Sequence, residues 1–227
     1  MQRKRTILLQ AAIGTVVGAL AVRFGSSIRA NIPVLALDKA ALAHGRYLLA
    51  AIPWVLFSLY WESAAKNAAA KASSESRTSR GLHVFLANVA LVLEIVPIRG
   101  LGRFLPPSSS LLAAGLAAEA MGVFLTIWAR RELGRNWSGE ISIKVDHQLI
   151  RSGPYRLLGH PIYTGLLAMY VGAALVTGER LAFIGLVMAV FAYWRKIRLE
   201  EANLNLAFGA EYAAYRRGTW ALLPGLF

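Results

Sequence analysis

The chain contains no cysteine. That excludes disulfides, thiolate catalysis and cysteine-ligated metals. Charge is scarce too, at 16% of 227 residues, and acids are scarcer still, 12 Asp and Glu against 25 Lys and Arg. The histidines His44, His83, His147 and His160 are scattered, with no two at metal-ligand spacing on one helix, so no metal is expected. No basic stripe with interleaved aromatics stands apart from the apolar runs, which argues against nucleic acid as partner of the +13 net charge. The basic residues read instead as loops facing anionic membrane lipid. What the chain has in excess is apolar surface: 56% hydrophobic residues is too much for an ordinary soluble domain.

Six apolar segments stand out: Ile7–Val22, Leu42–Trp61, Leu82–Ile98, Leu111–Ala129, Ile162–Val176 and Leu181–Trp194. A span needs roughly 20 apolar residues. The pattern predicts an all-α, polytopic membrane protein of about six spans with a cytoplasmic C-terminal region, where the resemblance given below implies cofactor binding. Thr177-Gly178-Glu179-Arg180 makes the last two segments an antiparallel hairpin. With the N-terminus inside, 18 of 25 basic residues fall in cytoplasmic segments and six in outer loops. This bias predicts a cytoplasmic 130–160 loop and both termini inside. Arg3-Lys4-Arg5 before an apolar run also resembles a signal peptide. No convincing small-residue cleavage site closes that run, so a retained first span is expected. The chain divides into N-terminal spans, 1–129, with a polar linker at 63–81, and a C-terminal core, 130–227.

The polar groups of that core sit at the ends of apolar segments, where ionisable side chains are functional candidates. Trp137, Ile141, Ile143, Leu149 and Ile150 predict that the 130–160 loop packs. His160 precedes Pro161. The residue before proline avoids helical angles, and proline favours the first helical position. His160 is thus expected at a helix mouth, beside the free N–H groups of Ile162 and Tyr163, as an anion site. The alternative is that His160 caps the helix and Tyr163 anchors an interface. From Trp194 onward, Ile197, Glu201, Leu204 and Phe208 share one helical face. Glu201 is then a carboxylate in an apolar stripe, with Arg198 three residues away as a partner. Arg195, Lys196 and Arg198 also read as positive-inside anchors, and for Lys196 that reading is preferred. Glu94 and Arg46, near outer span ends, are expected to pair; Glu119 lies within a span. His83 and Trp61, at helix ends, read as interfacial.

The C-terminal residues carry a resemblance. Leu133-Gly134, Trp137-Ser138, Asp146-His147-x-Leu149-Ile150, Gly153-Pro154-Tyr155, His160-Pro161-x-Tyr163-x-Gly165, Arg198-Leu199-Glu200-Glu201-x-x-Leu204, Phe208-Gly209-x-Glu211-Tyr212-x-x-Tyr215 and Leu223-Pro224 follow in order. In these blocks residues from about 130 to 225 resemble the isoprenylcysteine carboxyl methyltransferase family and its phospholipid-methyltransferase relatives. The resemblance implies an integral membrane enzyme using S-adenosylmethionine. It implies a lipophilic acceptor, a prenylcysteine-type carboxylate or a lipid, entering sideways from the bilayer. It implies cofactor contacts from His147, Leu149, Gly153, Tyr155, His160, Tyr163, Glu200 and Glu201. Arg195, Arg198 and Glu201 are the implied catalytic residues, with an arginine near the substrate carboxylate. The implied location is a bacterial inner membrane with the site facing the cytoplasm. The family usually has Arg before His-Pro; here it is Gly159. His-Pro-x-Tyr-x-Gly also occurs in sterol-reductase-type membrane reductases that bind a nicotinamide cofactor, but these have Asn after the Pro, where this chain has Ile162. A non-enzymatic scaffold or transporter accounts for Arg46, Glu94 and Glu119 but leaves the ordered cytoplasmic blocks unexplained.

Overall fold

Serine starts two of the helices. Ser76 accepts from the Ser79 N–H and Ser108 from the Leu111 N–H, filling the first-turn donors that a helix leaves open. The computed structural model describes residues 45–65, 75–98, 101–139, 141–142 and 148–225. Over these the chain forms α1 (Arg46–Ala65), α2 (Arg77–Ile95), α3 (Ser109–Leu133), α4 (Pro161–Thr177), α5 (Arg180–Phe208) and α6 (Ala210–Arg217). Two 3-10 turns, Gly134–Asn136 and Gly153–Arg156, punctuate the long loop. No strand occurs among the described residues, only isolated bridges between Arg103 and Glu179 and between Leu158 and Trp220. The all-α expectation therefore holds. The first expected span, Ile7–Val22, together with His44 and His147, lies outside the described residues.

Two described segments, Arg77–Ile95 and Ser109–Asn136, are long and apolar enough to cross a membrane; Pro161–Thr177 is apolar but shorter. The linker expected at 63–81 is helical at both described ends, since α1 runs to Ala65 and α2 begins at Arg77. The hairpin turn falls where expected. Gly178 takes a left-handed conformation (φ 68°) and returns its N–H to the Ala174 carbonyl. The helix expected from Trp194 is not separate, because α5 runs unbroken for 29 residues. At 1.5 Å per residue it is about 43 Å long, more than the roughly 30 Å of a hydrocarbon core.

Small residues set the packing of α3 on α4. A Cβ on Gly172 would lie 2.5 Å from the Gly115 carbonyl, and one on Gly165 would lie 2.6 Å from the Gly122 carbonyl. The backbones meet where only glycine fits. Trp54, Phe57, Ile162, Leu166, Met169, Tyr170 and Tyr193 are buried in the core beneath. The outside stays apolar: Val187 is 69% exposed, Met121 68% and Phe124 66%. An uncovered apolar belt of this kind marks a lipid or partner surface. The expected pair of Arg46 and Glu94 does not form. The Arg46 guanidinium donates to the Val176 carbonyl instead, and Glu94 is fully buried on α2 against Gly185 of α5. Helix rotation, invisible to span assignment, places the two side chains on different neighbours.

Candidate active site

The His-Pro turn is held by the chain's own C-terminal segment. The Gly159 N–H donates to the Trp220 carbonyl at 2.7 Å and the His160 N–H to the Ala221 carbonyl at 3.0 Å. The Thr164 hydroxyl donates to the Leu222 carbonyl at 2.7 Å. Pro161 opens α4 as expected, but the His160 side chain makes no cap. The Tyr163 N–H is spent on the His160 carbonyl at 3.0 Å. The helix mouth therefore offers fewer free donors than its sequence suggests, because its first turn tightens to a 3-10-like bond.

The His160 ring is instead clamped between two carboxylates. Its Nδ1 lies 3.7 Å from Glu200 and its Nε2 3.4 Å from Glu201. Tyr163 stacks on His160 with ring centres 5.6 Å apart, and its hydroxyl donates to Glu200 at 2.7 Å. The Arg216 Nε of α6 donates to Glu201 at 2.9 Å. Burial pushes the Glu201 carboxyl up, but the His160 hydrogen bond and the charges of His160, Arg216 and Arg198 outweigh it and hold the group below its ordinary value. Arg198 acts only through its charge and is exposed, so the main partner of Glu201 is Arg216.

A cavity of about 730 Å³ opens beside this cluster. It lies within the ~300–1,000 Å³ typical of small-molecule sites. Of the residues expected to contact a cofactor, Leu149, Tyr155, His160, Tyr163 and Glu200 line it. Gly153 and Glu201 do not. Gly153 adopts φ +55°, and a Cβ there would lie 2.6 Å from Glu132 Cδ, so its glycine serves the turn. Arg195 and Arg198 do not line the cavity either; Arg195 donates to the Ser79 hydroxyl at 2.9 Å. Gly159 has room for a side chain, with Trp220 O 3.6 Å from a built Cβ. The backbone therefore does not enforce the departure from Arg. Burial pushes Tyr215 up to about 12 and Tyr155 and Tyr212 up as well, so these phenols stay neutral donors in the physiological range. The Tyr215 hydroxyl donates to the Tyr155 carbonyl at 2.8 Å, tying α6 to the loop.

Three side chains were misplaced by sequence reasoning. Lys196, read as an anchor, is buried and lines the cavity, its ammonium 3.4 Å from the Gly139 carbonyl and 5.9 Å from the Tyr163 ring centre. His83 and Trp61, read as interfacial, line the cavity too, and His83 is buried. Periodicity on α5 offers two faces and does not choose between them. Tyr193, Lys196, Glu200 and Asn203 share a helical face beside the stripe that contains Glu201, and Leu204 lies on the border of the two.

Residues 111–211 match the family described as phospholipid methyltransferase. A probable protein-S-isoprenylcysteine O-methyltransferase of Oryza sativa subsp. indica is 31% identical over 113 residues, 48% of this chain and 59% of that protein. Over this stretch the chain is similar to isoprenylcysteine O-methyltransferases. The cobalt-zinc-cadmium resistance protein CzcN of Cupriavidus metallidurans is 38% identical over 97 residues, 41% of this chain and 44% of that protein. The chain thus spans about half the length of the curated relatives it matches. A structure of the eukaryotic intramembrane Ras methyltransferase ICMT aligns with a TM-score of 0.48 at 18% identity, over 65% of this chain and 48% of that one.

Proposed function

We propose that the protein is an integral membrane methyltransferase. It uses S-adenosylmethionine and methylates a lipophilic acceptor, a prenylcysteine-type carboxylate or a lipid. The observation that carries this reading is that one cavity has two kinds of wall. Glu200, Tyr163, His160, Asn203 and Tyr212 line its polar part, and Trp54, Leu91, Val92 and Ile95 its apolar part. Of these, Glu200, Tyr163, His160 and Tyr212 belong to the C-terminal blocks, and Trp54, Leu91, Val92 and Ile95 to α1 and α2.

The donor set suits the cofactor. Glu200 turns a carboxylate toward the cavity, suited to an ammonium or to ribose hydroxyls, and Tyr163 fixes its orientation. Tyr155, Tyr212 and Trp137 offer flat surfaces for an adenine ring. When bound, S-adenosylmethionine supplies an electrophilic methyl group. The chain's own part is then to align the acceptor and keep water out, since methyl transfer needs neither a metal nor a covalent nucleophile. Glu201, His160 and Arg216 hold α5, α4 and α6 in register around the pocket, and Arg195 and Arg198 lie at its periphery. The six apolar segments support six spans, and the 18-to-6 basic bias supports a site facing the cytoplasm, in this reading that of a bacterial inner membrane.

The test is transfer itself. Membranes containing the protein are incubated with S-adenosylmethionine carrying a labelled methyl group, with a farnesylcysteine analogue or extracted lipid as acceptor. Label in the organic phase is the expected result. Label confined to water for every lipophilic acceptor, with the cofactor bound, overturns the acceptor class.

A further inference from the structure

The apolar wall of the cavity carries an amide that the methyltransferase reading leaves without a task. Asn88 lines the cavity from α2, one turn before Leu91 and Val92. This helix is one of the described segments long and apolar enough to cross a membrane. A polar side chain within a span ordinarily bonds to a neighbouring helix; one that faces a cavity instead is a functional candidate. Asn88 bonds to no neighbouring helix among the described residues.

Its orientation is fixed. Asn88 Nδ2 donates to the Val84 carbonyl at 2.7 Å, one turn back on the same helix. A carbonyl only accepts, so the nitrogen is the atom that faces it and Oδ1 is turned away. Oδ1 has no partner among the described residues. The unpartnered oxygens of Glu94 and Glu119 are sealed inside the protein; that of Asn88 is not. Asn88 therefore brings an open hydrogen-bond acceptor to the cavity wall. It stands beside Tyr170, whose hydroxyl is committed to the Ala87 carbonyl at 2.8 Å and whose ring packs on Trp54 at 4.7 Å. Along α4, Tyr170 lies about 10 Å beyond Tyr163 and so beyond the polar cluster of His160 and Glu200.

We propose that Asn88 determines specificity for the methyl acceptor, its Oδ1 accepting a hydrogen bond from a hydroxyl or amide N–H carried partway along the acceptor's apolar tail. The inference rests on the methyltransferase reading and narrows its substrate class. A plain hydrocarbon tail would cover Oδ1 and leave it unmet, which is costly in an apolar setting. An ester or ether oxygen would face it lone pair to lone pair. Only a group that donates satisfies it. Because Asn88 stands away from the polar cluster, the group it reads is not the one that is methylated.

The test is a competition read by native mass spectrometry of the full-length protein released from detergent. One probe pair is methyl 10-hydroxystearate and its methyl ether, supplied together in equal amounts. The other is methyl 8-(nonanoylamino)octanoate and its N-methyl amide. Within each pair only one member can donate a hydrogen bond from mid-chain. Wild type is expected to retain the donating member of at least one pair by roughly three- to tenfold, the fold-change of one neutral hydrogen bond. The pair that shows the preference tells hydroxyl from amide. Asn88→Leu, close in size but without the acceptor, is expected to retain both members equally, and so is Asn88→Ala should the leucine variant not fold. No preference in wild type for either pair overturns the proposal, as does a preference that persists in the variants. S-adenosylhomocysteine is added to the same samples. Wild type that binds it yet shows no preference sinks the role of Asn88 alone; wild type that does not bind it sinks the methyltransferase reading.

Discussion

Glu200 and Glu201 are adjacent in sequence, yet α5 turns them about 100° apart and so gives them different partners. Glu200 faces the cavity and takes the Tyr163 hydroxyl; Glu201 faces Arg216 and His160. Charged hydrogen bonds are each worth about 1.5–3 kcal/mol. Glu200→Gln should therefore weaken S-adenosylhomocysteine binding by about tenfold or more, with little change in thermal stability. Glu201→Gln should do the reverse, lowering stability by about 1–3 kcal/mol through loss of the α5–α6 tie. Calorimetric titration and thermal melts of both variants check the pair. The pH dependence has a definite sign. A carboxyl whose folded pKa is depressed stabilises the fold above its ordinary value, here 4.5, and loses that contribution as pH falls through the depressed value. The stability gap between wild type and Glu201→Gln should stay constant from neutral pH down to about 4.5 and close below it.

At the scale of helices, the sequence was legible wherever a local signal sets the boundary. Pro161 opens α4 and Gly178 closes it, both by backbone chemistry of a few residues; hydropathy alone started the next two segments at Leu82 and Leu111, whereas serine caps start α2 at Arg77 and α3 at Ser109. The cavity-facing stripe of α5 was not legible. Periodicity identifies faces, but α5 has two partly apolar faces, and only the packing of α2, α4 and α6 around it decides which one meets the cavity. His83 and Lys196 were misread for the same reason: a polar residue near a span end looks interfacial until its neighbours are known. The glycine seam of α3 and α4 carries a prediction at this scale. Gly172→Val would press its side chain into the Gly115 carbonyl and Glu119, and overpacking of this kind costs about 1–3 kcal/mol. Because His160 leads the same helix, donor binding should weaken too. Gly81→Ala meets nothing within 4 Å and should be neutral or stabilising by about 0.5–1 kcal/mol. Melting curves of the two variants in the same detergent compare them directly.

For the whole molecule, composition alone indicated helices in a membrane, and the helical architecture agrees. The site is assembled from both halves of the chain, since α1 and α2 line the same cavity as α4 and α5. Sequence blocks in the C-terminal half point to the polar wall, whereas the apolar wall has no motif, because any large hydrophobic side chain can form it. The basic bias predicts that reporter fusions after residues 70 and 140 both lie inside; an outside signal at either would invert the molecule. The central claim is that this cavity takes a sulfonium methyl donor. The direct test is a calorimetric titration of the detergent-solubilised protein with S-adenosylmethionine and, separately, with NADPH, each repeated in chelator. The account predicts saturable one-to-one binding of S-adenosylmethionine, unchanged by chelator, and none of NADPH. Binding of NADPH alone, or S-adenosylmethionine binding that vanishes in chelator, would contradict it.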